Sequence, residues 1–205
     1  KMESSKCGHA IAKRSNPNDV FLTPIPLVKQ QIAMIQTFKS DVWLDPFFGT
    51  GNYYNNFPTD KKDFCEIADP YNKDFFTYKV GEFSSRPDAI FFERPDWDRV
   101  DVICSNPPYS MINEILDKCV RLNPRVISLL IGQGNLTTKR IAFMNENGYG
   151  LHKVLMTKVF EWYGFSYICQ WEKNKDNVIM IDRTIYHDEN HKNHKKKSET
   201  TKTQE

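Results

Sequence analysis

Three short stretches carry residues whose types and spacing suit chemistry. "CSNPPYS", residues 104–110, sets Asn106 before Pro107, Pro108 and Tyr109. "DVWLDPFFGTG" ends an apolar run on Asp45 and follows it with Gly49-x-Gly51. "DFCEI" carries Glu66 after a second apolar run. An asparagine side-chain oxygen and a backbone carbonyl can each accept one hydrogen of an amino group. On a planar ring that amine is a poor nucleophile, because its lone pair is delocalised. Holding both hydrogens out of the ring plane pushes the nitrogen towards sp3 and aims the lone pair at an electrophile. The prolines fix φ, so the loop carbonyl is preorganised. Tyr109 offers a flat face for a ring to stack on. The plain alternative is a rigid turn that starts a helix, with Ser110 near its N-cap.

The glycine turn suggests the electrophile. Glycines at a strand tip let the backbone approach a ligand and leave amides free at the following helix. A dinucleotide fingerprint would need a third glycine and a Walker loop a Gly-Lys-Ser/Thr, and both are missing. Asp45 instead suits a ligand with a cationic end, as in S-adenosylmethionine, which bears an ammonium and a sulfonium. Glu66 stands where an acid accepts two ribose hydroxyls. Asp74, in "KDFF", is placed to accept from an adenine amino group. Gly-x-Gly also occurs in turns where it serves packing alone.

These residues need a scaffold that brings strand ends together. "TPIPLVKQQIAMIQTF" has a proline-marked start and apolar residues at helical spacing: Leu27, Val28, Ile32, Ile35. "DVWLD", "DFCEI", "KDFFTY" and "VDVICSN" read as strands, and "FFGTGNYYNNF" as a turn into a short helix. "YSMINEILDKCVRL" reads as a helix with Ile112, Ile115, Leu116 and Cys119 on one face. "RVISLLIG" is apolar on both faces, as a central parallel strand would be. "LTTKRIAFMNENG" reads as a helix ending at Gly148. "LHKVLMTKVF", "FSYICQWEK" and "NVIMID" are strands too close-set for intervening helices, so they are expected to be antiparallel. Alternation of strand and helix predicts an α/β fold, a mostly parallel sheet with helices on both faces. Residues 1–19 are read as an irregular N-terminal segment, 20–186 as the folded domain, 79–99 as an inserted loop within it, and 187–205 as a disordered polar tail.

Composition narrows the class. The chain has 205 residues, a net charge of +2 and 13% aromatics, which allows one domain without the strongly basic balance common in nucleic-acid binders. The basic clusters are read as solvated faces. Five cysteines at irregular spacing argue against a disulfide framework and for a reducing, intracellular compartment, cytoplasmic or nuclear. Neither Cys7 with His9 nor the tail histidines 187, 191 and 194 is read as a metal site. No run has the ~20 apolar residues of a membrane span, and no signal-peptide core is seen.

"DPFFGTG" followed by "NPPY" resembles the amino-group methyltransferases, chiefly the adenine-specific (N6) DNA methyltransferases. "NDVFLTPIPLV" looks like their amino-terminal cofactor motif, and "FCEI…KDFF…VDVICSNPPYS…LTTKR" looks like small phage- and virus-type members. The resemblance spans about residues 18–182. It implies a Rossmann-like class I methyltransferase fold of seven strands whose last is antiparallel. It implies S-adenosylmethionine as cofactor, with Asp45, Pro46, Phe47, Gly49 and Gly51 at its methionine part, Thr23 and Pro24 closing over that end, Glu66 on the ribose and Asp74 on the adenine. Asn106, Pro107, Pro108 and Tyr109 would hold the target base, Asn106 also facing the cofactor. A virus-encoded protein in host cytoplasm fits the same likeness.

The chain departs from the pattern in places. Phe47 and Phe48 make the glycine turn bulky. The 79–99 stretch is longer than the family's link and leaves Asp88 as an alternative to Asp74. No target-recognition domain follows the core, although extruding a base from a duplex demands phosphate contacts and groove readers. The 79–99 insertion, the aromatic hairpin with Trp162 and Tyr163, the basic tail or a partner subunit is expected to fill that role; Trp162 and Tyr163 equally suit core packing. Three alternatives stay open: an RNA adenine methyltransferase, methyl transfer to a protein glutamine amide, and a catalytically silent subunit of the same fold.

Overall fold

The computed structural model describes residues 22–80, 97–159, 162 and 164–185. The segments 1–19 and 187–205, most of the 79–99 insertion with Asp88, the Cys7/His9 pair, the tail histidines and Tyr163 lie outside them. Among the described residues no helix is long and apolar enough to cross a membrane.

The elements are α1 (Ile25–Ala33), β1 (Trp43–Asp45), β2 (Lys62–Phe64), β3 (Val102–Ser105), α2 (Ile112–Leu122), β4 (Val126–Gly132), α3 (Thr138–Glu146), β5 (Tyr149–Thr157) and β6 (Ser166–Lys173). They form one sheet in the order β2-β1-β3-β4-β6-β5. β1 pairs in parallel with β2 and β3, and β3 with β4. β6 is antiparallel to both β4 and β5, so the last strand runs against the other five. This is the Rossmann-like α/β architecture, mostly parallel with an antiparallel end.

Alternation along the strands sorts the core into two layers. Trp43, Val102, Cys104 and Val126 pack with Val28 and Ile32 of α1 and with Tyr53 and Phe57. Leu44, Ile103, Ile127, Leu129 and Ile131 pack with Ile112, Ile115, Leu116 and Cys119 of α2 and with Ile141 and Met144 of α3. Each buried Ile or Leu contributes roughly 1.5–3 kcal/mol. α1 begins with proline in its first turn, which has no N–H to leave unsatisfied. α2 ends on Asn123 in the left-handed conformation, φ 57°. α3 is capped by Thr137, and the chain leaves it through Gly148 at φ +84°. Cys65, Cys104, Cys119 and Cys169 are buried free thiols.

Two of the eight stretches read as strands are not strands, which leaves six in the sheet among the described residues, where the resemblance implied seven. In "KDFFTY", Asp74 diverts the backbone. Its Oδ1 accepts from Phe76 N at 2.9 Å and its carbonyl from Thr77 N at 3.2 Å. An aspartate that bonds its own turn competes with a ladder, and only an isolated bridge, Glu66 to Lys73, remains. Phe75 and Tyr78, three apart, are the buried pair. In "NVIMID", the neighbouring strand β5 carries an irregularity between Leu151 and Lys153 that breaks the register a further strand would follow. Asn177 Oδ1 accepts from Leu151 N, and Val178 N donates to Leu151 O. The chain then runs off with Met180 fully exposed. The short helix expected after the glycine turn is a single 3-10 turn, Tyr54–Asn56.

Candidate active site

Parallel strands put their carboxyl ends at one edge, and the site residues gather there. β1 ends on Asp45 and adjacent β3 on Ser105. The Ser105 hydroxyl donates to Asp45 Oδ1 at 2.7 Å, and the Phe47 amide donates to the same oxygen at 3.3 Å. Asp45 is fully buried, and its Oδ2 has no hydrogen-bond partner among the described residues. The Tyr54 backbone N–H also favours the charged carboxylate, but burial outweighs these donors, with nearby Glu66 adding to it, and pushes the pKa up to about 7. An acid poised there, with one oxygen unmatched, has the chemistry to receive a cation.

Pro46 is buried, and the half-buried Phe47 ring packs edge-on against Phe75, 5.4 Å between centroids. The two turn glycines do different work. At Gly51, φ is +80° and a Cβ would lie 2.8 Å from the Phe48 ring and 2.9 Å from Asn55 Nδ2, so this glycine is needed for packing. At Gly49, φ is +51° and a Cβ would meet nothing within 4 Å, so its backbone faces open space. Glu66 stands over that opening: its Oε2 accepts from Gly49 N at 2.8 Å and its Oε1 from Ala68 N at 2.9 Å. The Phe48 ring packs into a cluster with Phe64, Tyr54 and Tyr71.

Asn106 leaves β3 directly after Ser105 and is half-buried, with Pro107 buried behind it. The carbonyl of Pro108 accepts from Met111 N at 3.3 Å, which starts a 3-10 turn, Tyr109–Met111. Ser110 lies inside this turn and the N-cap of α2 is Met111, with no side-chain cap bond. The stretch is thus a turn that leads straight into a helix, with Ser110 directly before the N-cap, as the plain alternative expects. The Tyr109 ring lies against the end of β4: a Cβ on Gly132 would come within 3.1 Å of its Cε2. Past Gly132, Gln133 N donates to Phe165 O at 3.0 Å, which draws the β5–β6 connection and half-buried Trp162 towards this edge. Lys158 Nζ holds the connection through the carbonyls of Trp162 and Gly164.

Thr23 is buried and Pro24 exposed just before α1. Asn52, in the glycine turn, donates to Thr23 O at 2.9 Å, so the amino-terminal segment and the turn are fastened together. Asp74 spends one carboxylate oxygen on its own turn, just after the bridge between Glu66 and Lys73.

A buried polar set that no motif announces lies under the site. Gln31 of α1 donates through Nε2 to Ser128 O at 3.0 Å and Ser128 Oγ at 3.2 Å, and at 3.5 Å to Ser105 O. Its Oε1 accepts from Tyr53 Oη at 2.7 Å. Thr23 bonds to the Tyr53 phenol, whose pKa burial pushes well up. One chain of contacts thus runs from Thr23 through Tyr53 and Gln31 to Ser105 and Asp45. The only sequence signal was a glutamine on the apolar face of α1, three residues after Val28 and beside Ile32.

No family model matches the chain, and no curated protein sequence matches it. Solved structures do share its fold. One is TrmK of M. capricolum in complex with S-adenosyl-homocysteine, at 14% identity and TM-score 0.52, covering 76% of this chain and 71% of that one. Another is a Vibrio vulnificus YJ016 protein assigned as a type I restriction enzyme modification subunit, at 14% identity and TM-score 0.51. It matches 83% of this chain, which spans 48% of the longer protein. At such identities the likeness is one of fold.

Proposed function

We propose that this protein is an S-adenosylmethionine-dependent methyltransferase of an exocyclic amino group, acting on N6 of adenine in nucleic acid, DNA preferred. One observation carries the reading. The asparagine of Asn-Pro-Pro-Tyr follows the serine that is hydrogen-bonded, at 2.7 Å, to the strand-end carboxylate of the glycine turn. The amine acceptor and the cation acceptor are therefore neighbours on adjacent strands.

The residues fit the cofactor. Asp45 Oδ2 is buried and unmatched, as a receptor for an ammonium should be. The open Cα of Gly49 leaves room for close approach, and Glu66 beside it keeps lone pairs for ribose hydroxyls. Thr23, Pro24, Pro46, Phe47 and Gly51 complete the methionine end, and Asp74 takes the adenine. The shared fold with a protein solved with S-adenosyl-homocysteine supports the same ligand.

When bound, the cofactor would supply a methyl group on sulfonium to the amine lone pair, C–N forming as the C–S pair leaves on sulfur, and one amine proton would pass to solvent. Asn106 Oδ1 accepts one amino hydrogen. The Pro107 carbonyl, next along the loop, takes the other. Tyr109, braced by Gly132, stacks on the base. Adenine in DNA is favoured by the motif likeness and by the fold shared with the restriction modification subunit. A partner subunit that reads the target sequence belongs to this reading.

The test is transfer of labelled methyl from S-adenosylmethionine to DNA, RNA and protein. Label on adenine N6 in DNA is expected, with Asn106→Ala lowering kcat about 10²–10³-fold, the scale for losing one positioned polar group. Label on RNA alone or on a protein amide would redirect the substrate; cofactor binding without label on any of them would point to a silent subunit.

A further inference from the structure

Arg140 is a charge held among neutral groups. It lies in the first turn of α3, half-buried, and burial pulls its pKa below the usual arginine value while Glu114 alone opposes the shift. Its grip is entirely on neutral oxygens: Nε donates to Asn113 Oδ1 at 2.8 Å, and Nη1 to Asn135 O at 2.7 Å and Asn135 Oδ1 at 3.0 Å. No carboxylate forms an ion pair with it, and Nη2 is left without a bond among the described residues. Its own amide donates to the capping Thr137 hydroxyl. Lys139 precedes it, so two cations sit at the positive end of a helix dipole, with no acid in that turn. A desolvated charge at the wrong helix end, aimed by three bonds, is an arrangement waiting for an anion.

The position says which anion. Asn135 lies between Arg140 and the base-stacking tyrosine. Its amide Nδ2 stands 3.5 Å from where a Cβ on Gly132 would be, and the Tyr109 ring is 3.1 Å from the same point. Asn113 holds the other side, in the first turn of the helix that follows Asn-Pro-Pro-Tyr. The guanidinium is thus one side chain away from the proposed base face, on the outer edge of the site. We propose that Arg140 binds a backbone phosphate flanking the target base, with Asn113 and Asn135 presenting its free edge. The inference rests on the nucleic-acid reading above and adds the residue that positions the strand.

The experiment uses a fluorescent single-stranded oligonucleotide with one adenine, in native form and with neutral methylphosphonates flanking that adenine. Binding is followed by anisotropy in the presence of S-adenosyl-homocysteine, between about 50 and 200 mM salt. Wild type is expected to bind the neutralised strand several-fold more weakly. Arg140→Gln should bind both strands alike and show a log–log salt slope shallower by about 0.7, one single-strand phosphate contact. Arg140→Lys keeps the charge and should keep the slope. Equal binding of the two strands by wild type overturns the assignment without needing any variant to fold. So does Arg140→Gln that still discriminates them. Wild type that methylates adenine yet ignores the flanking phosphates sinks this inference alone; wild type that neither binds nor methylates either strand sinks the nucleic-acid reading with it.

Discussion

The role proposed for Asp45 makes cofactor affinity depend on pH in a calculable way. Its carboxyl is buried at the end of β1 and titrates at about 7, because burial outweighs the Ser105, Phe47 and Tyr54 donors. If Oδ2 receives the ammonium of S-adenosylmethionine, only the ionised carboxylate binds well. The ionised fraction is then about one half at pH 7, about one eleventh at pH 6 and about one hundredth at pH 5. Kd should therefore rise about five-fold from pH 7 to pH 6 and about nine-fold more by pH 5. Above roughly pH 8 the ligand's own α-amine loses its proton and affinity should fall again, giving a bell. Isothermal titration across this range reads Kd. Repeating it at pH 6 in buffers of different ionisation enthalpy should show close to one proton released per binding event. Asp45→Asn should bind weakly and lose the acidic limb. A flat Kd from pH 5 to 7, or an acidic limb that survives in Asp45→Asn, would refute the role.

The same carboxyl has the opposite sign for stability. A carboxylate whose folded pKa is raised binds protons more readily folded than unfolded, so it weakens the fold as pH rises from about 4 through 7. A rise of about three units at 1.36 kcal/mol each sets an upper bound near ~4 kcal/mol. Asp45→Asn should thus be more stable than wild type at pH 8 by an amount up to that bound, and by much less at pH 4. Urea denaturation of the ligand-free protein at the two pH values checks it. Binding lost while stability is gained is the signature of a charge retained for a ligand.

Other perturbations separate scaffold from site. Gln31→Leu strips partners from Tyr53 Oη and Ser128 Oγ together, so a loss of about 2–5 kcal/mol by urea denaturation is expected; Tyr53→Phe removes the phenol's bonds to Gln31 and Thr23 and should lose about 1–3 kcal/mol. Gly51→Ala drives a Cβ into the Phe48 ring at positive φ and should destabilise by about 1–3 kcal/mol. Gly49→Ala meets no protein atom, so its stability loss should stay near ~1 kcal/mol while cofactor affinity falls, a split that thermal melts and titration resolve.

Long periodic signals were the readable part of this fold. Ile112, Ile115, Leu116 and Cys119 repeat at helical spacing and form the buried face of α2, and the double-sided apolar run of β4 is the central strand. The failures came where a local bond beat the pattern. "KDFFTY" has the aromatics of a strand, yet Asp74 bonds to Phe76 N within its own turn. "NVIMID" has the β-branched residues, but its pairing edge is disrupted by the irregularity in β5, a feature with no composition of its own. Both misses concern edges, where a strand's fate depends on its neighbour's register rather than on its own residues.

The site was legible for a different reason. Asp45, Gly49, Glu66 and Asn106 stand at strand ends, so a correct reading of parallel strands already gathers them at one edge. What stayed hidden was the connection between them. Ser105 looked like one more residue of a β-run, but its hydroxyl is the link from the asparagine strand to Asp45. Gln31 looked like a polar interruption in an apolar helix face, but it ties α1 to the carbonyls beneath the site. Arg140 looked like part of a solvated basic pair, and only its neutral, half-buried cradle sets it apart from Lys139. In each case the residue type is ordinary and the information lies in a contact across 27 to 97 positions of chain. Motifs mark the candidate site; the contacts that hold those motifs at fixed separation come from tertiary neighbours. A change at Gln31 or Ser105 should therefore disturb the site while leaving every recognisable motif intact.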